Sequence, residues 1–259
     1  RGKLILEFVV DEEPGACSKL GSWFLLNKGI RAKAAIIAEP GCQIGIGHRG
    51  GYRFKVVAKG ESVHTGVSSW QKGEKGVNAI WQMCRAVKAL KKIELPYKTA
   101  KAFPNKKPVF TFPTVISGGK SVNVVPDECE AFGDVRLMPG NSDSQVRLRI
   151  EEKLDGIEGL DYSLEDLLFV PAVEIDKREE IVQVMFDSIK MIDGSDSEIE
   201  GIGPWNDGWM FINKDIPAVV QVPLQGGGAH GVGEWVSLPS LKVLTKSLLL
   251  TVVGYLGVK

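Results

Sequence analysis

The sequence predicts an α/β domain interrupted by a smaller α+β domain of ferredoxin-like order. Three observations lead to that reading. The chain starts in strand–helix–strand grammar, with "LILEFVV", "ACSKLGSWFLLNKG" and "KAAIIAEPG" in succession, a sequence that builds a sheet with a helical crossover. The middle of the chain changes to the order β-α-β-β-α-β, the split pattern of ferredoxin-like domains. After Pro171 the α/β style returns. The expected boundaries are residues 1–45 and 171–259 for the two parts of the α/β domain and 46–170 for the insertion.

Each element has a local reason. Residues 3–10 read as a strand from their apolar, β-branched and aromatic content. The helix that follows has Gly29 as a plausible stop. "KAAIIAEPG" is a continuous apolar run stopped by Pro40 and Gly41, as expected of a buried parallel strand. In "GGYRFKVVAKGESVH", Tyr52, Phe54 and Val56 alternate as in a half-buried antiparallel strand. "EKGVNAIWQMCRAVKALKKI" reads as an amphipathic helix with an apolar stripe of Val77, Ile80, Trp81, Cys84, Val87 and Leu90. "VFTFPTVISGG" and "SVNVVPDECEAFGDVRLMP" supply two strands, "SDSQVRLRIEEKL" a helix, and "LDYSLEDLLFV" the last strand of the insertion. "KREEIVQVMFDSIKMI" is then a helix, "AVVQVPL" a strand, and "SLPSLKVLTKSLLLTVVGYL" a helix that starts with a Ser cap and an early Pro.

The bulk properties exclude several function classes. Lys and Arg number 32, as do Asp and Glu, and the formal net charge is zero. That balance argues against a nucleic-acid-coating surface or a polybasic membrane contact. No apolar run reaches the roughly 18 residues of a spanning helix. The four cysteines, Cys17, Cys42, Cys84 and Cys129, have no C-x-x-C spacing. They read as free thiols in a reducing, cytoplasmic setting.

Two short motifs fail on context. "GIGHRG" matches G-x-G-x-x-G, but a strand follows where a dinucleotide site needs a helix; it reads instead as a flexible crossing into the insertion. "SGGKS" resembles the end of a phosphate-binding loop, but Thr114 replaces the upstream Gly and a strand follows.

A third cluster is more informative. Asp11, Glu12 and Glu13 stand together after the first apolar strand, and nothing basic follows in the next five residues. Alone they would be a charged turn. Acids at the carboxyl ends of parallel strands, however, point into the crevice where α/β proteins bind ligands. Glu39 ends the second expected strand, and His230 lies in the glycine-rich loop "GGGAHGVGEWV". Carboxylates with an imidazole suit Zn²⁺, Co²⁺ or Mn²⁺.

"VVDEEPGA", "AEPG", "GHRGGYRFKVVAKGESVHTG", "SVNVVPDECEAFGDVRL", "GPWNDGWMF" and "GGGAHGVGEWV" occur in the order found in the M20 metallopeptidases, a family that includes acetylornithine deacetylase and succinyl-diaminopimelate desuccinylase. The chain resembles that family over essentially its whole length. The resemblance implies di-metal hydrolysis of an amide bond in N-acyl amino acids or small peptides. It implies Glu12 as the general base that deprotonates a metal-bound water, Glu13 and His230 as ligands of one metal, and Glu39 as a ligand of the other, with Zn²⁺ or Co²⁺ expected. It implies a homodimer through residues 46–170, which form a dimerisation or lid domain, with His64 reaching the partner subunit's site. Asn123 and Arg136 correspond to substrate-contacting residues. Asp207 stands where the family often has Ser-Asp, and here the pair is Asn206-Asp207. The family's His-x-Asp segment and bridging Asp, which precede the DEE strand, have no counterpart in these 259 residues. The expectation is therefore an incomplete catalytic domain that holds one metal or none and is inactive alone. The alternative is a non-catalytic homologue that acts through its dimerisation domain.

Overall fold

The computed structural model describes residues 2–13 and 19–257. In chain order the elements are α1 (Ser22–Asn27), β1 (Ala35–Ile36), β2 (Pro40–Gly41), β3 (Ile44–His48), β4 (Gly50–Lys59), α2 (Ser68–Gln71), α3 (Ala79–Leu90), β5 (Val109–Gly118), β6 (Glu128–Leu137), α4 (Asp143–Asp155) and β7 (Asp161–Val170). There follow β8 (Val173–Glu174), α5 (Glu180–Asp193), β9 (Ile199–Ile202), α6 (Gly208–Ile212), β10 (Ala218–Val219), β11 (Val222–Pro223), β12 (Gly226–Gly227), β13 (Trp235–Val236) and α7 (Leu238–Leu256). The fold is mixed α/β, as the sequence predicts. The chain forms two compact units, residues 51–98 with 107–171, and residues 1–50 with 99–106 and 172–259.

The first of these units is a four-stranded antiparallel sheet in the order β5-β6-β4-β7, with α3 against β5 and β6 and α4 against α3. Tyr52, Phe54 and Val56 on β4 are fully buried, and the Phe54 ring packs among Tyr52, Phe110 and Phe112. A glycine makes this possible: a Cβ at Gly133 on β6 would lie 2.2 Å from Phe54 Cζ. Side-chain caps fix the starts of both helices. Ser142 and Gln145 form a reciprocal capping box on α4, and Asn78 accepts from the Ile80 and Trp81 amides at the start of α3.

The expected apolar stripe of α3 shares only Leu90 with the observed buried face. The buried face is Ala79, Met83, Ala86 and Leu90, and Trp81 is 63% exposed. Both faces have helical spacing. Ala79 and Ala86 let the buried face approach the sheet closely, while Trp81 is left outside.

In the other unit, β3 lies between β8 and β9, parallel to β9 and antiparallel to β8. β1 pairs in parallel with β10, and β2 with β11. Beside them lies a core of Leu26, Ile202, Met210, Phe211, Ile216, Ala218 and Val220, flanked by stacked Trp23 and Trp209.

Four sequence expectations change in this unit. Residues 2–10 form no strand, and Leu4, Leu6, Phe8 and Val10 are exposed. A strand is buried only where neighbours cover it, and among the described residues no strand pairs with this run. The helix expected over 16–29 is described only as α1, Ser22–Asn27; residues 14–18, including Cys17, lie outside the described residues. "GIGHRG" is no flexible crossing: its first half is β3, buried throughout, because glycines at 45 and 47 let neighbouring chains approach closely. Finally, residues 99–106 pack in this unit. The Ala102 amide donates to Glu174 Oε2 at 2.9 Å, the Gly201 amide donates to Ala102 O at 2.6 Å, and Phe103 is buried against Gly201.

Candidate active site

The acidic residues gather in the unit that holds the chain's beginning and end. Glu12 is half-buried. Burial pushes its carboxyl up to about 7, helped by the negative charges of Asp207, Glu39 and Glu13 and opposed by His230. The Glu39 carboxyl is also raised, first by desolvation and then by Glu13, with His230 again opposing. Glu39 keeps an exposed surface, but enough protein surrounds its carboxylate to disfavour the charge. His230 has a left-handed backbone with φ 63° in the hairpin between β12 and β13, and its Nε2 lies 3.5 Å from Glu13 Oε2. Asp11, also left-handed at φ 72°, accepts from the Leu20 amide at 3.3 Å. Residues far apart in sequence, at 12–13, 39, 207 and 230, therefore act on one another.

Asp207 is held by one side-chain hydrogen bond. It is 2% exposed, and its Oδ2 accepts from Ser22 Oγ at 2.6 Å. Its Oδ1 is buried and has no hydrogen-bond partner among the described residues. Next to it, Asn206 donates to Val220 O at 2.6 Å and accepts from the Gly208 amide at 3.0 Å, which fixes the turn into α6. Sequence reasoning did not single out Ser22 or Glu7, whose carboxyl is raised by burial and by Asp207. Neither belongs to a motif; only the folded contact reveals them.

His64, Asn123 and Arg136 belong to the ferredoxin-like unit. The Gly66 amide donates to His64 Nδ1 at 3.0 Å, and Asn123 Nδ2 lies 3.4 Å from His64 Nε2. His64 also bridges to Val124. These two residues are thus neighbours although 59 positions apart. Arg136 lies on β6, where its Nε donates to Asp134 Oδ2 at 2.8 Å.

The donor chemistry around Glu13, Glu39 and His230 is that of a hard cation site. Among the described residues, however, no three His, Cys, Asp or Glu side chains come together as a metal site requires. The residues do not by themselves fit a metal, and no step through one is derived.

Residues 46–159 match the M20 family domain described as "Peptidase dimerisation domain". The N-formyl-4-amino-5-aminomethyl-2-methylpyrimidine deformylase of Bacillus subtilis aligns with 96% of the chain at 26% identity. This chain carries an M20 dimerisation domain. It spans 63% of that relative's length. Among solved structures, aminopeptidase PepT of Bacillus cereus superposes on this chain with a TM-score of 0.72 at 20% identity, covering 94% of this chain and 61% of the other. The YxeP protein of Bacillus subtilis, described as a dinuclear metal-binding peptidase of the M20 family, gives 0.62 at 17% identity, covering 92% and 62%. Both structural likenesses concern the fold.

Proposed function

We propose that this chain serves hydrolysis of an amide bond in an N-acyl amino acid or small peptide, with Glu12 as general base. The observation that carries the reading is the Glu12 carboxyl, raised to about 7 within a group of acids. A base that exchanges its proton near neutrality can take one from water and return it to a leaving amine. The match to a peptidase dimerisation domain, and a relative named for removing a formyl group, support the reaction class.

Glu13, Glu39 and His230 are the donors this chain would offer to a divalent cation, and a site for two such ions needs further donors. His64, Asn123 and Arg136 are proposed as substrate contacts, with His64 acting in the partner subunit's site. Asp207, proposed from the sequence as a further contact, is too buried to meet substrate directly and would act by holding its neighbours. The homodimer reading rests on the dimerisation-domain match and on β5, an edge strand without a charged residue from Val109 to Gly118 and with Val115 and Ile116 exposed. Unprotected apolar edges of this kind favour pairing with another strand. The opposite edge, β7, carries Asp161, Glu165 and Asp166.

The test is Glu12→Gln in the whole protein, assayed on N-acyl amino acids and dipeptides. The amide keeps the shape and removes the base, so kcat should fall by roughly 10²–10⁴-fold. A variant with near-normal kcat removes Glu12 from this role.

A further inference from the structure

The unit that holds the acidic cluster also has a cavity that the cluster does not use. Its volume is about 340 Å³, and Arg49, Lys106, Glu200, Gln43, Gln221 and Phe103 line it with the backbone near Gly201 and Gly203. Glu12, Glu13, Glu39, Asp207 and His230 are not among its lining residues. Glycines set its walls. A Cβ at Gly41 would lie 2.0 Å from Gln221 Cδ, and one at Gly45 2.8 Å from Gln221 Cβ. A Cβ at Gly201 would lie 2.3 Å from Phe103 Cε1. Side chains at these three positions would force Gln221 and Phe103 out of their places.

The lining amides are held by backbone. Gln43 Nε2 donates to Gly201 O at 3.3 Å, and Gln221 Nε2 donates to Pro40 O at 3.4 Å. The segment 99–106, pinned through Ala102 to Glu174 and Gly201, brings Phe103 and Lys106 to the wall. Lys106 and Glu200 bring opposite charges to one cavity, and both are exposed. The size is at the low end of the roughly 300–1,000 Å³ typical of small-molecule sites. That suits a compact ligand rather than an extended peptide.

We propose that this cavity binds a free zwitterionic α-amino acid, its carboxylate directed to Lys106 and Arg49, its ammonium to Glu200 and its side chain towards Phe103. Separated charges of both signs match a zwitterion and mismatch a ligand that carries only one of them. The proposal does not rest on the hydrolase reading, because binding is measured without turnover.

The experiment is calorimetric titration of the 259-residue chain with glycine, leucine, glutamate and lysine, alongside acetate and methylamine as half-ligands. At least one amino acid should bind with a Kd of about 10 mM or tighter, and each half-ligand at least about tenfold more weakly. Lys106→Met and Glu200→Gln should each weaken binding about tenfold with the thermal midpoint unchanged, since both side chains are exposed. No heat from any amino acid, equal affinity for a half-ligand, or unchanged affinity in both variants overturns the proposal.

Discussion

His48 provides a measurable pH dependence of stability. It lies on β3 with no exposed surface, its Nδ1 3.1 Å from Arg49 O and its Nε2 buried with no hydrogen-bond partner among the described residues. Burial pushes its pKa down to about 4, with backbone carbonyls of Arg49 and Asn206 opposing. An unfolded histidine titrates near 6.5. Below that pH the unfolded chain binds a proton that the folded chain refuses, so stability falls as pH drops from about 6.5 to about 4 and levels off below. Two and a half units at about 1.36 kcal/mol each set the loss at about 3 kcal/mol. Glu12 and Glu39 act in the opposite sense. Their raised folded pKa values make the folded state bind protons first, so it gains stability as pH falls towards the unfolded value of 4.5. Comparison with His48→Gln removes that interference, because both proteins keep the carboxyls and glutamine does not titrate. Urea denaturation of the two proteins at pH 7 and pH 4 is the assay. The wild type should lose about 3 kcal/mol relative to the variant over that interval. Parallel pH curves would refute the reasoning, since they would mean that His48 takes its proton in the folded state as readily as in the unfolded one.

Other expected outcomes follow from single contacts. Gly133→Ala places a methyl 2.2 Å from Phe54 Cζ, and overpacking of this kind costs about 1–3 kcal/mol, to be read as a lower thermal midpoint for the ferredoxin-like unit. Ser22→Ala removes the donor to the buried Asp207 carboxylate; chemical denaturation should show a loss of about 1–3 kcal/mol, and Ser22→Thr, which keeps the hydroxyl, should lose less. Ile116→Lys puts a charge on the exposed edge strand β5 and should weaken self-association in sedimentation, whereas the same change at Leu167 on β7 should not. Mixing His64→Ala with Glu12→Gln subunits of the whole protein should restore part of the activity; no recovery after verified subunit exchange would remove His64 from the partner's site.

The sequence by itself determined whatever depends on near neighbours along the chain. The β-α-β-β-α-β order, the capping of α7 by Ser237 and the left-handed stop at Gly29 were all legible. Caps and turns satisfy backbone groups within a few residues, so their chemistry is written locally. The acidic cluster was legible in part: Glu12, Glu13, Glu39 and His230 stand out by type and position, and the fold lets their charges act on one another. Tertiary structure alone decided the rest. Two faces of α3 have helical spacing, and only the sheet beneath selected the one with Ala79 and Ala86. Residues 4–10 have the composition of a strand, yet a strand needs partners, and composition cannot supply them. The hydrogen bond from Ser22 to Asp207 spans 185 positions, and residues 99–106 leave the unit that surrounds them in sequence to pack in the other. Contacts of that range pay a loop-closure cost that only the assembled core repays, so no local pattern announces them.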